Sequence, residues 1–171
     1  MNFTSRDIGL KIEMSDTLID QLLKLGRKHY PMEFGGLLIG RYVDTNKMVI
    51  IEDTVLPKKY KSSKYSFERG VAGLRKVLKV FFTKSPSLIY VGEWHTHPDN
   101  PAIPSITDIN ALKQIANHNE VFIDNPILLI IRIGKKDYEL GFYVLYENKI
   151  YKYKQESTAE NIPINKQENY V

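Results

Sequence analysis

His95 and His97 stand one residue apart in GEWHTHPDNPAIPSITD, residues 92–108, a stretch that ends on Asp108. Imidazole nitrogens and a carboxylate oxygen are zinc ligands that need no thiolate, and the chain contains no cysteine. Two imidazoles and one carboxylate leave the fourth tetrahedral position open, which is the arrangement of catalytic rather than structural zinc. A histidine pair at this spacing is a weak signal alone, so its surroundings must carry the reading.

Those surroundings position the three groups. SLIYVGEWHTH, residues 87–97, reads as a buried strand running into the histidines. Side chains two apart on a strand point the same way, so both rings face one ion. The alternation sends Trp94 and Thr96 to the other face, with Trp94 in the core. Glu93 shares the rings' face and would hold a ligand imidazole from behind. Pro98 stops the strand, and Pro98, Pro101 and Pro104 stiffen the following loop. Ser105 is placed to cap a helix over 105–119, with Asp108 in its first turn facing back toward the rings. SITD also fits a capping box, and Ser105 can cap and still present its hydroxyl to a substrate. Asp99 fits no ligand spacing and reads as a loop acid. His29 and His118, near helix ends, read as partners of the helix dipole.

The remaining pattern supplies the frame. Residues 15–29 predict an amphipathic helix capped by Ser15 and ended at Tyr30-Pro31. Strands are predicted at 34–43, 47–56, 125–133, 138–148 and 149–154, with a second amphipathic helix over 66–83. Its stripe is Val71, Leu74, Val77, Leu78, Phe81 and Phe82. Gly35 and Gly36 suggest a close backbone approach. Helices alternating with strands predict an α/β sandwich around a mixed sheet, one domain over 1–154, with a polar tail at 155–171.

The 171 residues suffice for a real core, and the net charge of +4 is mild. Its densest patch, LPKKYKSSKY at 56–65, reads as a solvated basic loop, open to an acidic protein partner, rather than a nucleic-acid site. No apolar run reaches membrane-spanning length, and the N-terminus lacks a signal-peptide core, so a soluble cytoplasmic protein is expected.

A zinc hydrolase also needs a proton shuttle. The chain has no H-E-x-x-H helix, and a cysteine-free chain cannot supply the zinc deaminase signature. Here the sequence resembles a known family. HTHPDNPAIPSITD matches H-x-H-P-x(6)-S-x-x-D from His95 to Asp108, and MEFGGLLIG is similar to the upstream Glu and Gly-containing strand of the JAMM motif. The resemblance, to the catalytic MPN-domain metallopeptidases, covers roughly residues 8–150. GEWHTHP is similar to the stand-alone bacterial members, including isopeptidases encoded beside E1- and E2-like enzymes in antiphage (CBASS-type) or ubiquitin-like operons.

The resemblance implies a cytidine-deaminase-like α/β/α sandwich. It implies that His95, His97 and Asp108 ligate zinc. Glu33 would be general base, then general acid, on a zinc-bound water, and Ser105 would donate to the developing oxyanion. The implied substrate is a bond after the C-terminus of a ubiquitin-like modifier or conjugated protein. A sulfur-carrier substrate, or a non-catalytic MPN-type binding module, is the alternative. Thr96 stands where eukaryotic members often carry Ser. The chain has little room for a large modifier-gripping insertion, for which the basic loop and PDNPAIP are the candidates.

Overall fold

In chain order the elements are β1 (Asn2–Ser5), β2 (Leu10–Met14), α1 (Asp16–His29), β3 (Gly35–Val43), β4 (Met48–Val55), β5 (Tyr60–Ser63), β6 (Ser66–Arg69), α2 (Leu74–Phe82), β7 (Ile89–Pro98), α3 (Ile106–Ala116), β8 (Ile127–Ile133), β9 (Tyr138–Tyr146), β10 (Lys149–Lys152) and β11 (Lys154–Gln155). The computed structural model describes residues 1–118, 123 and 125–156. Residues 157–171 of the expected tail lie outside them, while Gln155 pairs with Phe3.

β8, ILLIIRI, explains the layering. A strand covered on both faces reads as a continuous apolar run. Ile127, Leu129, Ile131 and Ile133 pack with Leu18, Ile19, Leu22 and Leu23 of α1. Leu128 and Ile130 face the other way, onto Leu112 of α3. β3 splits likewise: Leu38 joins the α1 side, while Leu37 and Ile39 meet Leu74 of α2. One helix on one face and two on the other make the expected α/β/α sandwich. Burying each such Leu or Ile stabilises the fold by about 1.5–3 kcal/mol. No helix among the described residues is long and apolar enough to cross a membrane.

The sheet is mixed, in the order β10-β9-β8-β7-β3-β4-β2-β1-β11. β7–β8 and β2–β4 are the parallel pairs. β10 and β11 follow one another in the chain yet stand at opposite ends of this order. The stretch 149–155 therefore joins both edges, β10 pairing with β9 and β11 with β1, and closes the sheet on itself. The rings of Phe3 on β1 and Phe142 on β9 lie 4.5 Å apart across that seam.

Two expectations need correction. The helix predicted over 66–83 begins only at Leu74, and Ser66–Arg69 instead pairs with Tyr60–Ser63 as a separate hairpin. Gly73 at φ +80° caps α2 in the left-handed region, which stops the helix from extending back. Val71 and Phe82, predicted for the buried stripe, are 74% and 63% exposed. The basic loop at 56–65 is thus partly strand. β1 and β2 go beyond the sequence expectation altogether.

Candidate metal centre

β7 carries the site because its alternation is strict: Trp94 and Thr96 are buried, while Glu93, His95 and His97 face the other way. α3 begins after the proline loop and brings Asp108 back. Ser105 caps it in a complete capping box: Asp108 N–H donates to Ser105 Oγ at 3.2 Å, and Ser105 N–H donates to Asp108 Oδ2 at 2.7 Å. The cap therefore also aims the carboxylate. Ser105 Oγ spends its own proton on the same Oδ2, at 2.7 Å.

The ligand atoms of His95, His97 and Asp108 all lie within 4.8 Å of one another. The Nε2 atoms of the two rings are 3.1 Å apart. Asp108 Oδ1 is 3.4 Å from His95 Nε2, and Oδ2 is 3.9 Å from His97 Nε2. His97 Nδ1 lies 2.9 Å from the carbonyl oxygen of Pro101. A carbonyl only accepts, so Nδ1 carries the proton and Nε2 presents its lone pair. Burial, opposed by Asp108 and reinforced by His97, lowers the His95 pKa to about 4, so this ring is neutral at pH 7. Converging nitrogen and oxygen atoms of this kind are a donor set that a cation completes, and the three residues could hold a metal ion.

Glu33 reaches the site through strand register. Gly35 of β3 lies opposite His95. The same antiparallel run, carried two residues further, leads from Gly35 to Glu33 and from His95 to His97. Phe34 N–H donates to Thr96 Oγ1 at 2.9 Å, and Thr96 N–H donates back to Phe34 C=O at 2.8 Å. A Cβ on Gly35 would sit 2.1 Å from the Trp94 carbonyl oxygen and 2.8 Å from His95 Cβ, so glycine is what allows this approach. Glu33 is 7% exposed. Burial first, and the Asp108 charge second, push its pKa up to about 7.

Residues 15–146 match the family model described as prokaryotic homologs of the JAB domain. The chain belongs to this family. It is 33% identical over 132 residues to the CD-NTase/cGAS isopeptidase of Enterobacter hormaechei subsp. hoffmannii, covering 77% of this chain and 72% of that one. A protein of the same name from Escherichia coli is 26% identical over 137 residues, covering 79% and 83%. A probable metalloprotease of Sinorhizobium fredii is 22% identical over 134 residues, covering 74% and 79%. The solution structure of a protein from Desulfitobacterium hafniense aligns with a TM-score of 0.60 at 19% identity, over 82% of this chain and 88% of that one, a likeness of fold. Family and relatives together support a JAB-type peptidase, hence a hydrolase, with a metal.

Other residues of this JAB domain fall as follows. Glu93 does not hold a ligand imidazole. It accepts from Arg69 Nε at 2.9 Å, from Arg69 Nη2, and from the Tyr90 hydroxyl at 3.1 Å. Asp99 accepts from the Tyr30 hydroxyl at 2.8 Å, well placed for a loop acid. His29 Nδ1 lies 2.8 Å from Leu25 C=O in the last turn of α1, while its ring stacks on Phe34 at 3.6 Å. His118 lies just past α3 and lines a groove of about 1070 Å³. That groove runs between α2 and α3, walled by Phe67, Val71, Leu74 and Ile115, and reaches His95 and Asp108. Sequence reasoning missed Arg69, Tyr90 and the Pro101 carbonyl. Only the Arg69 charge offered a signal, and its partner lies 24 residues away.

Proposed function

We propose that this JAB domain is a zinc-dependent isopeptidase, cutting the bond between the C-terminus of a ubiquitin-like modifier and an amine of a conjugated protein. The observation that supports the reading is a buried carboxyl group, Glu33, two residues before the Gly35–His95 rung and close enough to feel the Asp108 charge, together with three convergent candidate ligand atoms. His95, His97 and Asp108 would hold the zinc, which when bound supplies Lewis acidity toward the scissile carbonyl and acidifies water.

Glu33 takes the proton of the attacking water. A carboxyl group near pKa 7 is matched to accepting a proton and returning it at neutral pH. It then delivers that proton to the departing amine, without which the C–N bond would expel a poor leaving group. Ser105 turns its hydroxyl from Asp108 to the developing oxyanion, while its N–H keeps Asp108 in place. The largely apolar groove between α2 and α3 receives the modifier tail and excludes water from the reacting bond.

The names of the Enterobacter and Escherichia relatives point to a nucleotidyltransferase of the CD-NTase/cGAS class as the conjugated protein. The proposal therefore places this chain in antiviral defence in the cytoplasm, reversing conjugation made by E1- and E2-like partners. The test is metal analysis of the purified chain together with cleavage of a modifier conjugate. Expected are one zinc per chain and cleavage abolished by chelation. Glu33→Gln retains zinc and loses cleavage by at least about 100-fold, and His97→Ala loses both. Stoichiometric zinc in His97→Ala, or wild-type cleavage by Glu33→Gln, overturns the assignment; zinc without cleavage of any conjugate returns the chain to a binding role.

A further inference from the structure

The β5–β6 hairpin stands apart from the main sheet; among the described residues its two strands pair only with each other. A lone two-stranded hairpin is marginal in water, so this one must be held by what it docks on. It docks on the residue that the mechanism above makes the general base. Glu33 N–H donates to the Ser63 carbonyl at 2.8 Å. Ser62 Oγ donates to the Glu33 carbonyl at 2.5 Å. Both main-chain polar groups of Glu33 are therefore tied to the hairpin, while both of Phe34 are tied to Thr96 of β7. Residue 33 sits between two anchors.

The hairpin's far end is fastened to the metal-ligand strand. Arg69, the last residue of β6, grips Glu93 through Nε and Nη2, and Tyr90 adds a third donor to the same oxygen. Both side chains of the pair are 22% exposed, so the charge-assisted bonds are partly shielded from water. Tyr60 and Phe67 close the middle, with ring centroids 5.3 and 5.8 Å from that of Phe34. Glu93 lies two residues before His95. The hairpin thus spans from the general base to the strand that carries the ligands, and fixes the distance between them.

We propose that the β5–β6 hairpin is a bracket that sets the position of Glu33 relative to the metal ligands, with Ser62 and Arg69 as positioning residues. The bracket rests on the functional reading above, since only a Glu33 that moves protons needs this placement for turnover. A carboxylate displaced by a fraction of an ångström loses rate without losing substrate, because proton transfer is far more sensitive to geometry than groove binding.

The experiment uses full-length wild type, Ser62→Ala, Arg69→Gln, and the conservative Ser62→Thr. Exchange of the Glu33 amide is followed by NMR in the metal-free chains, beside zinc affinity, kcat and KM. In Ser62→Ala and Arg69→Gln the Glu33 amide exchanges about 10-fold faster or more. kcat falls about 5- to 20-fold in both with zinc affinity held within about twofold, KM is held within about twofold in Ser62→Ala, whose residue lies outside the groove lining, and Ser62→Thr restores kcat. Unchanged exchange in both variants overturns the bracket, as does an equal loss in zinc affinity or in the KM of Ser62→Ala, which would mark general loosening. Should the wild type cleave no conjugate, the isopeptidase reading fails. The exchange and zinc measurements still decide whether the hairpin holds Glu33.

Discussion

Glu33 carries the sharpest consequence at the scale of single residues. Its carboxyl group sits at about 7 in the folded chain, against an ordinary 4.5, because burial and Asp108 both disfavour the charge. Between those values the folded chain holds a proton that the unfolded chain has released. The stability this residue contributes is thus complete below pH 4.5 and lost as pH rises through 7. Glu33→Gln removes the charge and with it the loss. In the metal-free chain, denaturant titration should show Glu33→Gln more stable than wild type by about 2–3 kcal/mol at pH 8, and the gap should vanish near pH 4.5. Equal stability at pH 8 would mean that the carboxylate is solvated, against the burial described. A group that costs stability where it would act is what a tuned proton carrier implies.

Elements decide how close these residues come, and Gly35 tests that. A Cβ there meets main-chain oxygen of Trp94 and the Cβ of His95, neither of which can swing aside. Gly35→Ala must push β3 from β7 at the rung that bears His95. It should destabilise the chain by about 1–3 kcal/mol, as overpacking does, and weaken the proposed zinc binding measurably by competition with a chelator. Intact zinc affinity in a folded Gly35→Ala chain would show the rung to be looser than described. Elements were also where the sequence was most and least legible. The strict alternation from Glu93 to His97 and the Ser105 cap are local signals, and both are found in place. The hairpin at 60–69 was not legible: its strands, YKSS and SFER, are short and polar. What holds them is Phe34, Glu33 and Glu93, all distant in sequence. β1, with only four residues, likewise gains its identity from partners at 10–13 and 154–155. That Gly35 faces His95 is a fact of register, which no single strand encodes.

Across the whole molecule, the closed sheet matters most. Exposed strand edges recruit other chains, and joining them removes the hazard. Here one stretch, 149–155, covers β9 and β1 at once. A chain ending at residue 148 would bare both, and light scattering should report concentration-dependent association that wild type lacks; a monomeric truncated chain would show the edges to be protected some other way. Closure also moves the described chain's two ends together: Glu156 N–H donates to the Asn2 carbonyl at 2.9 Å. A ring of strands whose first and last members touch has no privileged starting point. The same molecule can be written as a circular permutant, with residues 156 and 1 spliced by a short linker and new termini opened at the Asp44–Lys47 turn, at the end of β3 away from Glu33. If that permutant folds and binds metal as the natural order does, the sequence in which the ribosome delivers the strands is a matter of history.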